Sequence, residues 1–165
     1  MKKLVVFYSF DGNTRLIAQK VAETAEADLL ELKPKKEIKT HGFMKFLWGG
    51  RQVVLKKKPK LHPFDKNPEE YDLLFIGTPV WAWSYTPPLG TFFSTVDLSG
   101  KKIALFYCHG GQMGQTQEKM KEQLTGNEII GAIDFLEPLK KKREESVKRA
   151  REWVEEILAK IEKSK

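Results

Sequence analysis

The 165-residue sequence has a single cysteine, Cys108. One thiol excludes a disulfide framework and any zinc site built on several thiolates. No apolar run approaches the ~18 residues of a membrane span. The N-terminal run from Leu4 to Tyr8 stops at Ser9, too short for the core of a signal peptide. Neither G-x-x-x-x-G-K-[ST] nor G-x-G-x-x-G occurs, so the P-loop and dinucleotide fingerprints are both missing. There is no internal repeat and no low-complexity segment. Acid is in short supply: 22 Asp and Glu face 29 Lys and Arg, a formal charge of +7. The imbalance is concentrated, with ten Lys or Arg between Lys33 and Lys60 against Glu37 alone. Such a stretch suits a phosphate, an anionic lipid surface or an acidic protein partner. What is present is enough apolar material, 41% of residues, for one packed core. We expect one domain over residues 1–165, soluble and cytoplasmic.

Short apolar runs alternate with helical patterns. Residues 3–8 (KLVVFY), 28–32, 72–77 (DLLFIG), 102–107 (KIALFY) and 128–136 (EIIGAIDFL) read as strands, most of them continuous runs suited to burial on both faces. Helices are expected over residues 14–25, about 88–95, 114–124 and 141–163. The last carries Val147, Ala150, Val154, Ile157, Leu158 and Ile161 on one stripe. Repeated βα units imply an α/β fold, a doubly wound parallel sheet of five strands between two helical layers. Residues 33–71 fit the rhythm least and read as an enlarged crossover with one or two short helices and a long loop.

Ligands of such sheets lie beyond the carboxyl ends of the strands. Ser9-Phe10-Asp11-Gly12-Asn13-Thr14 follows the first strand and leads into a helix. Gly12 permits close backbone approach, successive N–H groups point inward, and the helix start adds partial positive charge, which together make a phosphate cradle. Ser9, Asn13 and Thr14 add side-chain donors; an ordinary capped turn is the competing reading. After the third strand, Thr78-Pro79-Val80-Trp81-Ala82-Trp83-Ser84-Tyr85 places three large aromatics on one loop, able to stack on a planar heterocycle or to pack beneath the loop. After the fourth strand come Cys108-His109-Gly110-Gly111-Gln112-Met113-Gly114, whose glycines let backbone N–H groups meet the polar edge of a ring. No acid stands near His109 in sequence to orient it, so nucleophilic chemistry is not expected there. Cys108 reads as a small residue closing a strand.

These three loops, in order, resemble those of the flavodoxin family over essentially the whole chain. Ser9 to Thr14 resembles the family's phosphate loop, Gly77 to Trp81 the loop on one flavin face, and the segment around Gly110 and Gly111 the loop on the other. The resemblance implies strand order 2-1-3-4-5, FMN as cofactor and no metal. It implies cofactor contacts from Ser9, Asp11, Gly12, Asn13, Thr14, Thr78, Pro79, Val80, Trp81, Ala82, Trp83, His109, Gly110, Gly111, Gln112 and Met113. The uninterrupted fifth strand is similar to the short-chain form. Three features depart from the pattern. Asp11 stands where the family most often has a neutral hydroxyl, so its carboxylate should turn outward or cap the helix. The third loop lacks a stacking aromatic, and the chain is basic where flavodoxins are typically acidic.

What the resemblance implies is a low-potential FMN electron carrier between redox proteins, for which the charge admits an acidic partner. The alternative is an FMN-dependent NAD(P)H oxidoreductase reducing quinones or other small acceptors. A third reading, a flavin-free module laying Phe43, Phe46 and Trp48 on a membrane or nucleic acid, ranks below both; neither nucleic acid nor membrane is expected as partner. Cationic surroundings should also oppose the charge of the reduced ring less than acidic ones do.

Overall fold

The computed structural model describes residues 1–36 and 58–164. Five strands, β1 (Lys3–Phe7), β2 (Asp28–Glu31), β3 (Leu73–Pro79), β4 (Lys102–His109) and β5 (Glu128–Leu136), form one parallel sheet in the order β2-β1-β3-β4-β5. Four α-helices accompany them among the described residues: α1 (Asn13–Ala25), α2 (Pro87–Thr95), α3 (Thr116–Gln123) and α4 (Arg143–Lys163). The expected order, strand count and helical layers are all present. Of the crossover over residues 33–71, a 3₁₀ turn at Pro68–Glu70 is seen. The helices expected near its middle, with Phe43, Phe46 and Trp48, lie outside the described residues.

The apolar runs build two cores because successive strand residues face opposite ways. Val5, Phe7, Leu73, Phe75, Ala104 and Phe106 meet α1 and α4 on one face. Leu4, Val6, Leu74, Ile76, Leu105 and Tyr107 meet Leu89 and Phe92 of α2 and Met120 of α3 on the other. β3 is buried along its whole length, whereas β5 is an edge strand with Phe135 alone fully buried. Helix starts fall a residue or two from where periodicity puts them. Gly114 and Lys142 both take left-handed backbone, at φ 60° and 51°, and the helices begin only beyond them.

Strands are added on one side of β1 first and then, from β3, on the other, so the crevice of the sheet opens above the carboxyl ends of β1 and β3. Gly77 of β3 lies beside Phe7 and Phe106 in register. A Cβ at Gly77 would stand 2.1 Å from Phe106 Cζ, a hard clash with the ring. Gly77→Ala is therefore expected to lower unfolding stability by about 1–3 kcal/mol through overpacking. Denaturant titration should also find Gly77→Ala/Phe106→Leu less destabilised than the sum of the two single changes.

Candidate cofactor site

Four loops meet above the carboxyl ends of the strands, and each is tied to its neighbours. In the first, residues 8–12, Ser9 Oγ accepts from the Arg15 N–H at 3.1 Å. Asp11 Oδ1 accepts from the Asn13 N–H at 3.2 Å. The Asp11 carboxylate thus braces the start of α1, as its charge requires, and is exposed. Gly12 has φ 91° and begins the helical hydrogen bonding by accepting from Leu16 at 3.0 Å. No acid lies in the first turn of α1. The backbone N–H groups of Asp11, Gly12 and Thr14 make no hydrogen bond among the described residues. The Thr14 hydroxyl is fully buried beside the Cys108 thiol and meets no oxygen or nitrogen partner among the described residues. A buried hydroxyl with no oxygen or nitrogen partner, next to backbone N–H groups left without acceptors at a helix N-terminus, fits an anionic oxygen. A phosphomonoester is the natural occupant by donor chemistry.

The second loop is a strained hairpin. Trp81 and Ser84 exchange both backbone hydrogen bonds, at 2.9 and 3.0 Å, and Ala82 and Trp83 between them have φ 46° and 56°. Positive φ at both central residues is the type I′ arrangement, normally given to Asn and Gly. Each non-glycine residue there costs about 1 kcal/mol or more. The buried Thr78 and Thr86 hydroxyls lie 3.2 Å apart, and Thr78 Oγ1 also accepts from the Thr86 N–H, pinning the hairpin's base. Pro79 completes β3, and Val80 N–H donates to the Cys108 carbonyl at 2.9 Å.

The two tryptophans divide the available roles. Trp81 stands edge-on to Tyr8 and Phe10, with centroids 5.9 and 5.5 Å away, so it joins the second loop to the first. Trp83 is 63% exposed. It crosses to the third loop, where a Cβ on Gly114 would stand 2.5 Å from Trp83 Cβ. In that third loop Gly110, Gly111 and Gln112 are exposed, leaving their backbone accessible. Met113 packs into the core beside α2 and α3, and its carbonyl accepts from the Thr116 hydroxyl at 2.7 Å.

Two further participants have no signal in the sequence. His109 Nε2 meets Asp134 Oδ2 at 2.9 Å, while its Nδ1 is buried and unpartnered. An acid does orient this histidine, contrary to expectation. It comes from β5, brought across by the parallel register that pairs Tyr107 with Asp134. The loop over residues 137–142 is the second. Its Leu139 N–H donates to Asn13 Oδ1 at 2.9 Å, and its Glu137 N–H to the His109 carbonyl at 3.0 Å. Leu139 also lies under Gly12, where an added Cβ would come within 3.1 Å of its Cδ1. The predicted residues of all three loops are thus assembled at one end of the sheet, with a fourth loop clasping them.

The family model for flavodoxin matches residues 2–157. The chain belongs to the flavodoxin family. Solved structures show the same fold at low identity. A flavoprotein from Lactobacillus acidophilus, in complex with FMN, is 24% identical, covers 81% of this chain and 92% of its own, and has a TM-score of 0.69. Oxidised flavodoxin 2 from Bacillus cereus is 19% identical over 97% of this chain and 99% of its own, with a TM-score of 0.60. A WrbA-like flavodoxin from Agrobacterium tumefaciens is 15% identical over 99% of each chain, with a TM-score of 0.61. A comparison with curated proteins finds no match.

Cys108 lies beneath this flavodoxin site, and burial pushes its thiol from the ordinary 9.0 up to about 12, opposed in part by the adjoining Thr14 side chain. Tyr71 is likewise raised to about 12, first by burial and then by its hydrogen bond to Asp28. A raised folded-state value means that the folded protein keeps a proton the unfolded chain releases. The stability contribution is therefore complete below pH 9.0 and lost as pH climbs towards about 12. Denaturation followed across that window should show a steep decline that Cys108→Ala makes shallower. The native thiol should also resist an aromatic disulfide reagent at about pH 8 and react on unfolding.

Proposed function

We propose that the chain binds FMN across these four loops and serves as an electron-transfer flavoprotein, a low-potential carrier between redox proteins. The observation carrying this reading is the cradle at the start of α1, where among the described residues the N–H groups of Asp11, Gly12 and Thr14 lack acceptors and the buried Thr14 hydroxyl meets no oxygen or nitrogen partner. FMN supplies the redox-active ring, and the residues of the chain set its hold, exposure and electrostatic setting. Ser9 and Asn13 hold the cradle in shape through Arg15 and Leu139. Trp81, braced by Tyr8 and Phe10, forms a wall; Trp83 and the open backbone of Gly110 to Gln112 leave an approach for a second molecule. No helix among the described residues is long and apolar enough to cross a membrane, in keeping with a cytoplasmic carrier.

That open approach also favours a second reading, an FMN-dependent NAD(P)H oxidoreductase acting on quinones or other small acceptors. A solved flavone reductase has the same fold at 16% identity and a TM-score of 0.62, over 95% of this chain and 62% of its own. Anaerobic addition of NADPH separates the two. Rapid bleaching of the yellow protein, followed by turnover with a quinone, supports the reductase; persistence of colour until a one-electron donor is added supports the carrier.

The cradle has its own test. Thr14→Val removes the buried hydroxyl while keeping the shape. Cofactor-free Thr14→Val should be as stable as the parent or more so by up to about 1 kcal/mol, because an unmet polar group is gone. FMN affinity should fall about tenfold or more, and riboflavin, lacking the phosphate, should bind equally to both proteins. Fluorescence quenching reads each affinity. A parent that takes up no FMN, or that binds riboflavin as tightly, would remove the basis for this function.

A further inference from the structure

The chain does not leave the sheet at the end of β2. Leu32 N–H still donates to the Phe7 carbonyl at 2.7 Å, and the backbone then forms a short antiparallel ribbon with residues 60–62. Lys35 N–H donates to the Lys60 carbonyl, His62 N–H to the Lys33 carbonyl, both at 2.8 Å, and Pro34 pairs with Leu61. Strand alternation sorts the side chains. Leu32 and Pro34 are buried, and Leu61 packs on the α2-side core. Lys33, Lys35, Lys60 and His62 all face solvent, flanked by exposed Lys36 and Lys58. Lys35 stands directly opposite Lys60, a like-charge pairing that works against folding.

None of these five lysines makes an ion pair among the described residues. Two acids that flank the ribbon in sequence are engaged elsewhere: Glu31 with Arg15, and Asp65 with Lys66. Phe7 pairs with Glu31 and its carbonyl accepts from Leu32, so the ribbon begins just beyond the carboxyl end of β1, the strand that leads into the cradle. A cationic comb without counterions among the described residues therefore stands on the β2 side of the cofactor site.

We propose that this ribbon is the docking face for an acidic redox protein, a partner whose carboxylates the lysines receive. The proposal rests on the electron-carrier reading above. Charge complementarity selects the occupant. Among the described residues the outward side chains are lysines and His62, with no apolar group to enter a bilayer, and a carboxylate is the group that a row of lysines receives best. Five cations beside the cofactor would orient an acidic partner during its approach and accelerate encounter at low salt.

The test compares the FMN-loaded protein with Lys33→Glu/Lys35→Glu/Lys60→Glu. Both are reduced with stoichiometric dithionite and mixed anaerobically, in a stopped-flow instrument, with an acidic b-type cytochrome or with basic cytochrome c. One electron leaves the flavoprotein for each ferric haem that becomes ferrous. The triple variant should reduce the acidic cytochrome at least about tenfold more slowly at low ionic strength. That difference should close near about 0.5 M salt, while reduction of cytochrome c becomes faster. Lys160→Glu/Lys163→Glu, at the opposite end of the molecule on α4, should change neither rate.

Equal rates for the parent and the ribbon variant, with FMN uptake intact in both, overturn the docking face and leave the carrier reading standing. If the parent takes up no FMN, calorimetric binding of the cofactor-free chains to the acidic cytochrome decides the surface separately. Weaker binding by the triple variant supports it, and equal binding overturns it. Lost binding to phosphatidylserine vesicles or a single-stranded oligonucleotide, with cytochrome reduction unchanged, would also overturn it.

Discussion

The hydrogen-bonding groups left unmet at the head of α1 are the constraint around which the rest of this end of the molecule is arranged. A buried hydroxyl without a partner costs about 1–3 kcal/mol, and among the described residues Thr14 has a buried hydroxyl with no oxygen or nitrogen partner, beside three N–H groups without acceptors. Folding would ordinarily remove such a defect by letting the loop collapse onto its own donors. Here collapse is blocked from two sides. Ser9 takes the Arg15 N–H and Asp11 takes the Asn13 N–H, so the turn holds its curvature. From outside, Asn13 anchors Leu139, whose side chain supports Gly12. The concavity is thus built by contacts that never enter it.

The second loop shows the same preference for shape over local ease. Ala82 and Trp83 occupy left-handed backbone that neither favours, and the Thr78–Thr86 brace below keeps them there. What this strain produces is a separation of two indoles only two residues apart. One is locked among Tyr8 and Phe10, and the other projects over Gly114. A relaxed loop could bury both, and the crevice between the second and third loops would close.

Much of this was open to reading in the sequence, for reasons that differ by element. The strands were legible because β1, β3 and β4 are buried on both faces, which demands continuous apolar runs. The phosphate-type turn was legible because a glycine before a helix with flanking hydroxyl and amide residues has few other uses. Backbone conformation at single residues was not: nothing in Lys142 announces its φ of 51°, which delays α4. Partnerships across the sheet were hidden too. Asp134 reaches His109 only through the β4–β5 register, and Leu139 reaches Asn13 over 126 residues of chain. The choice between Trp81 and Trp83 depended on where Tyr8 and Phe10 point, which no spacing encodes.

The charge of the chain acquires meaning only once its neutralised part is set aside. Lys140 and Lys141 share Glu137, and Lys142 faces Glu145, so the basic entry to α4 carries its own counterions. Arg15, the cation nearest the cradle in sequence, is paired with Glu31. Among the described residues the ribbon lysines have no such compensation, which tilts the field of these residues towards β2. Screening confines its reach to about 8–10 Å at physiological salt. It therefore acts on the loop after β1 and on an approaching surface more strongly than on the loops that follow β3 and β4. Charge of this placement shapes recognition first, and the energetics of the ring only at second hand.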